Sequence, residues 1–165
     1  LLGRTVRSRG TLCQQQPDLF SMAFSDPEGD RVVADGEWLW LYYPSTDERQ
    51  VLRTPMDRGV GRFDFAREFL DRANERYAAT GVGREEVRGV RATVVELEPR
   101  GPAAFRHARL WIDPERRLML RIRTEEENGS IRTVDLSEIR LNPTIDPEIF
   151  RFVPPEGADV ITRGS

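Results

Sequence analysis

Apolar residues recur at every second position in one stretch of this sequence after another, and that period belongs to half-buried β-strands. Phe20, Met22 and Phe24 share one face of Leu19–Ser25. Asp26-Pro27-Glu28-Gly29 is a turn string, Asp30–Asp35 a second short strand, and Asp35-Gly36 a further turn before Trp38–Tyr43. The alternation resumes in Val87–Leu97, Phe105–Asp113, Arg117–Glu125 and Ile131–Leu141. Their separators, Pro99–Pro102, Asp113-Pro114-Glu115-Arg116 and Asn128-Gly129, are turn formers, the last suited to a tight hairpin. With an exposed first strand over residues 4–12, seven or eight strands should pair antiparallel in sequence order.

Trp38–Tyr43 adds a second constraint. Trp38, Trp40 and Tyr42 fall on one face and Leu39, Leu41 and Tyr43 on the other, so both sides need cover. The one strong helical pattern is Phe63–Tyr77, where Phe65, Ala66, Phe69, Leu70 and Ala73 recur at spacings of three and four. Asp64 can cap its first turn and Gly81 should stop any extension. An antiparallel sheet of this length must curl, close or split. The expected fold is mainly β: one strongly curved antiparallel sheet forming an incomplete barrel, with the amphipathic helix as lid or plug. A two-sheet sandwich is the alternative. Asp146-Pro147-Glu148-Ile149-Phe150 should make a single helical turn.

Composition sets the rest of the frame. The 165 residues are 38% hydrophobic and 32% charged, which suits a single domain over 1–165. Twenty-five basic against 28 acidic residues give a net charge of -3, and the arginines alternate with acids, so no nucleic-acid partner is expected. All the basic residues are arginine, which excludes Schiff-base chemistry and a Walker-type lysine. A lone Cys13 allows no disulfide within the chain and reads as a buried thiol. The longest apolar run is far shorter than the roughly 18 residues of a membrane helix, which predicts a soluble protein. His107 stands without a second histidine to share a metal, and no activated nucleophile is visible. Gly59-Val60-Gly61 and Gly81-Val82-Gly83 lack the strand-to-helix setting of a phosphate loop and read as mobile connections, the first a hinge for the helix. No cofactor, metal or enzyme activity is expected.

The positive signal is apolar material aimed by periodicity at the space between sheet and helix. Phe20, Met22, Phe24, Trp40 and Tyr42, with Leu118, Leu120 and Ile122, are the expected concave wall. Phe65, Phe69 and Leu70 are the expected lid. Two readings stand side by side: a solid core, or a removable plug over a cavity that takes an alkyl chain. Each wall assignment depends on strand parity, which one bulge reverses.

Specific strings then narrow the choice. Gln16-Pro17-Asp18-Leu19-Phe20, the Asp35-Gly36 turn leading into Trp38-Leu39-Trp40-Leu41-Tyr42, Gln50-Val51, and the closing Phe150-Arg151-Phe152-Val153-Pro154-Pro155-Glu156-Gly157 follow one another at fitting separations. Together they resemble the LolA family of periplasmic carriers of outer-membrane lipoproteins, over most of residues 10–161. The resemblance implies an unclosed barrel with a helical lid, an apolar cavity for lipoprotein acyl chains, and no catalysis. It also implies transfer from an inner-membrane release complex to an outer-membrane acceptor. Two departures stand out. The family commonly has arginine before the proline of the first string, implicated in holding the lid closed, where this chain has Gln16. The family's opening amphipathic helix and strand are largely replaced by Leu1–Arg9, which predicts a truncated N-terminal element and an open cavity edge. A related regulatory or interaction domain that binds another lipid or a protein partner is the alternative.

Overall fold

The structure, a computed structural model, describes residues 5–56, 73–103 and 105–164. Eleven strands are present among them: β1 (Arg9–Gln15), β2 (Leu19–Asp26), β3 (Glu28–Asp35), β4 (Trp38–Tyr42), β5 (Gln50–Pro55), β6 (Tyr77–Val87), β7 (Val90–Pro99), β8 (His107–Asp113), β9 (Leu118–Glu125), β10 (Ile131–Asp135) and β11 (Asp159–Thr162). They form two sheets rather than the single curved sheet expected, a six-stranded one ordered β1-β2-β3-β4-β5-β11 and a five-stranded one ordered β10-β9-β8-β7-β6. Neither sheet pairs its own edge strands, so no closed barrel forms among the described residues. The residues divide into two units accordingly, one holding each sheet.

The six-stranded sheet is an antiparallel meander with one exception. β11 lies parallel to β5, Val160 beside Val51 and Ile161 beside Leu52. It occupies the edge of β5 opposite β4, the position that an uninterrupted meander would give to the next strand in sequence. Its sequence carries a strand signal in the β-branched Val160-Ile161-Thr162. Before it, Asp146 caps the expected single turn of 3-10 helix, Pro147–Phe150, by accepting from the Glu148 amide at 3.0 Å.

In the five-stranded sheet β6 and β7 are a hairpin joined by Arg88 and Gly89, whose φ of 47° and 79° are both positive, as a tight hairpin turn requires. The expected strand Val87–Leu97 therefore breaks at this turn. Gly81-Val82-Gly83 is no mobile connection: it lies inside edge strand β6 and carries a bulge between Gly81 and Gly83. The expected lid helix is not shown. Of Phe63–Tyr77, Ala73–Arg76 forms one helical turn, α1, Tyr77 already belongs to β6, and residues 63–72 lie outside the described residues, as do Gly59 and Gly61.

Candidate functional site

Register decides which side chains of the six-stranded sheet share a face, because directly opposed residues of an antiparallel pair point the same way. Phe20 opposes Ala34, and Ala34 opposes Leu39; Met22 opposes Val32, and Val32 opposes Leu41. Leu41 in turn opposes Leu52. Phe20, Met22 and Phe24 therefore stand with Leu39 and Leu41, the half of β4 that the wall assignment left out.

Trp40 and Tyr42 are on the opposite face, which corrects their placement beside Phe20. Trp40 opposes Val33 and Tyr42 opposes Val51. Val33, Trp40 and Val51 make a buried cluster with Trp38, Tyr42, Phe152 and Ala158 against it. The Phe152 ring lies 5.5 Å from Trp40 and 5.8 Å from Tyr42, so the segment leading to β11 covers this face. Trp40 Nε1 donates to Asp35 Oδ2 at 2.7 Å while Asp35 Oδ1 accepts from the amides of Glu37 and Trp38. The guanidinium of Arg53 sits 4.2 Å from the Trp38 ring. Trp40 on this side of the sheet is part of a packed core.

A bulge splits the other predicted wall. Trp111 opposes Arg121 but Ile112 opposes Met119, which leaves Leu120 as the extra residue of β9. Ile122 and Met119 join the cluster of Tyr77, Leu97, Phe105, Ala108 and Leu110. Leu120 joins Val87, Ala92, Val94 and Trp111 on the other side, and Leu118 opposes Asp113. The three residues of β9 assigned to one wall do not share one. Phe65, Phe69 and Leu70 lie outside the described residues.

On the face that bears Trp111, charged groups surround the apolar cluster. Arg109 and Arg121 flank the Trp111 ring at 5.3 and 5.7 Å, and Trp111 Nε1 donates to Glu85 at 2.8 Å. Arg109 also pairs with Glu85. Asp135 accepts from Arg121 at 2.7 Å and from Arg88 at 3.0 Å. The hydrogen bond from Arg121, its charge and the weaker contribution of Arg88 hold the Asp135 carboxyl below its ordinary 3.8, against a smaller upward push from burial.

Around the end of β6 a cavity of about 260 Å³ is lined by residues including Arg76, Tyr77, Pro99 and Arg100. His107 lies on β8 with Nε2 3.8 Å from Glu96. Among the described residues no group of three His, Cys, Asp or Glu side chains is arranged to hold a metal, and no helix is long and apolar enough to cross a membrane.

Sequence reasoning put Phe20, Met22 and Phe24 on one face of β2, and the register adds Leu39, Leu41 and Leu52 to that face. The signal was present in the alternation of β4, whose two faces are equally bulky and so carry no mark of which one joins β2.

The family model described as outer membrane lipoprotein carrier protein LolA matches residues 2–153. An outer-membrane lipoprotein carrier protein of Halorhodospira halophila is 33% identical over 162 aligned positions, covering 93% of this chain and 69% of that protein. One from Legionella pneumophila (strain Corby) is 28% identical over 157 positions, covering 95% and 75%. Among solved structures, an uncharacterized conserved protein from Thermus thermophilus shares the fold with a TM-score of 0.54 at 17% identity, covering 88% of this chain and 75% of its own.

Proposed function

The chain belongs to the LolA family, and from that premise we propose that it is a non-enzymatic carrier that holds the acyl chains of lipoproteins and moves them through the periplasm to the outer membrane. The observation that carries the reading is the extent of the family match, residues 2–153, which includes ten of the eleven strands. The physical support is the face bearing Phe20, Met22, Phe24, Leu39 and Leu41. Around the buried Phe20, half-buried Met22, Phe24, Leu39 and Leu41 supply a ring, a flexible thioether and leucine side chains with few polar groups, the surface that alkyl chains need in order to leave water. Each methylene buried there contributes about 0.8 kcal/mol. The 165 residues serve as one lipid-binding domain, and Phe65, Phe69 and Leu70 lie outside the described residues. Trp40 and Tyr42, like Leu120 and Ile122, serve the packing of their own sheets instead. Loading from an inner-membrane release complex and delivery to an outer-membrane acceptor complete the cycle.

The test is direct. Purified protein is incubated with inner-membrane vesicles containing a triacylated lipoprotein, and the vesicle-free fraction is analysed by mass spectrometry alongside titration with a fluorescent acyl probe. A lipoprotein complex and a saturable probe signal support the reading. Absence of both defeats it.

A further inference from the structure

One line of side chains crosses the whole six-stranded sheet without a polar interruption. The cross-strand pairs Leu12 with Met22, Met22 with Val32, Val32 with Leu41, Leu41 with Leu52, and Leu52 with Ile161 take one residue from each of the sheet's six strands, β1 to β5 and β11. Five inter-strand steps of about 4.8 Å make the line about 24 Å long. Its neighbours on the same face are broken at the edges. The line through Phe20, Ala34 and Leu39 begins at Gln14 and ends at Thr54, and on the other side β5 and β11 present Gln50 and Asp159. At both edges the apolar strip is therefore one residue wide. Along the strands apolar runs on this face are shorter: Phe20, Met22 and Phe24 extend only about 14 Å. Of the six residues only Val32 is buried, and Ile161 at the end of the line is 42% exposed.

We propose that this line is a track for one extended saturated acyl chain lying across the strands, so that the width of the sheet selects chain length. The inference rests on the carrier reading above and deepens it. A saturated chain with bonds of about 1.52 Å and angles near 111° advances about 1.25 Å per bond, so the track matches roughly 18 to 20 carbons. A peptide fits the middle of the line poorly, since the side chains there offer no hydrogen-bonding groups to its backbone. Leu12 and Ile161, on the two edge strands, set the ends.

The experiment measures binding of free saturated fatty acids from 10 to 22 carbons in roughly two-carbon steps by competition with a fluorescent acyl probe. Affinity should rise about fourfold per methylene and level off at roughly 18 carbons. Leu12→Ser and Ile161→Ser should each move the levelling point to chains about four carbons shorter, one strand spacing, while leaving the shortest chains unaffected. Val160→Ser, on the same strand as Ile161 but facing the other way, should leave the profile as it is, and thermal unfolding of all three variants reports that the sheet is intact. A levelling point that stays fixed in both end variants, or moves equally in Val160→Ser, overturns the track while leaving acyl binding and the carrier reading in place. Failure to bind any chain length overturns both.

Discussion

Replacing Trp40 with alanine separates a cargo wall from a structural core. The indole is 8% exposed, hydrogen-bonded to Asp35, and packed against Val33, Val51 and Phe152. Removing a buried tryptophan costs about 3–5 kcal/mol. The lost indole bond and the lost ring contact with Phe152 fall within that range rather than adding to it, because Asp35 keeps its two amide donors. An effect of about 4 kcal/mol is a large part of the roughly 5–15 kcal/mol that stabilises a domain. At about 2–4 °C per kcal/mol it lowers Tm by roughly 8–16 °C. The assay is thermal unfolding followed by circular dichroism, paired with acyl-probe titration at a temperature where the variant is still folded. There, uptake per folded molecule should match the original protein. Leu41→Asp, one residue along β4 on the opposite face, should reverse the pattern, with uptake lost and a smaller fall in Tm. If Trp40→Ala abolished uptake with Tm essentially unchanged, the face assignment drawn from the register would be wrong.

Three further outcomes are expected. Because Arg121 and Arg88 depress the Asp135 pKa in the folded chain, their contribution to stability is present above the unfolded value of about 3.8 and is lost as pH falls through the lower folded value. Urea titrations should therefore show Asp135→Asn less stable than the original near pH 7, by no more than about 1 kcal/mol for so exposed a network, with the gap closing in acid. Gly10→Ala would set its Cβ 2.3 Å from the Ala23 carbonyl oxygen and 2.9 Å from the Phe24 Cα; the displaced β1 should cost about 1–3 kcal/mol and show faster amide exchange in β1 and β2. Arg88→Ala removes the bonds from the β6–β7 turn to Asp135 and to the carbonyls of Leu120 and Leu136, and should speed amide exchange at that turn while leaving the cluster around Leu110 protected.

Strand positions in the first half of the chain were legible because turn chemistry brackets them: β2, β3 and β4 lie where Asp26-Pro27 and Asp35-Gly36 put them. What period-two reasoning lacks is a rule for joining faces between strands. That information sits in the register of each turn, and Trp40 went to the wrong side for this reason. Leu118, Leu120 and Ile122 alternate correctly as letters, but the bulge at Leu120 breaks the parity in space. β6 escaped notice because Tyr77–Val87 holds two glycines and several charged residues, and an edge strand tolerates both where a central strand would not. β11 is only four residues long and exposed along its length, so the propensity of Val160 and Ile161 has no period-two pattern to accompany it. The pairing of β11 with β5 is long-range, and no local pattern encodes it.

That pairing has a consequence for how the protein is made. Arg53 and Thr162 hydrogen-bond across 109 positions of sequence, and Phe152, which covers Trp40 and Tyr42, arrives almost as late. A chain emerging amino terminus first can assemble β1 to β5 through nearby hairpins, yet the indole of Trp40 and the outer edge of β5 stay bare until the last strand appears. Pairings of such high contact order form slowly, and an uncovered strand edge beside exposed aromatic rings is prone to intermolecular association. The interval between the fifth strand and the eleventh is therefore when the folding chain is most open to association with other chains.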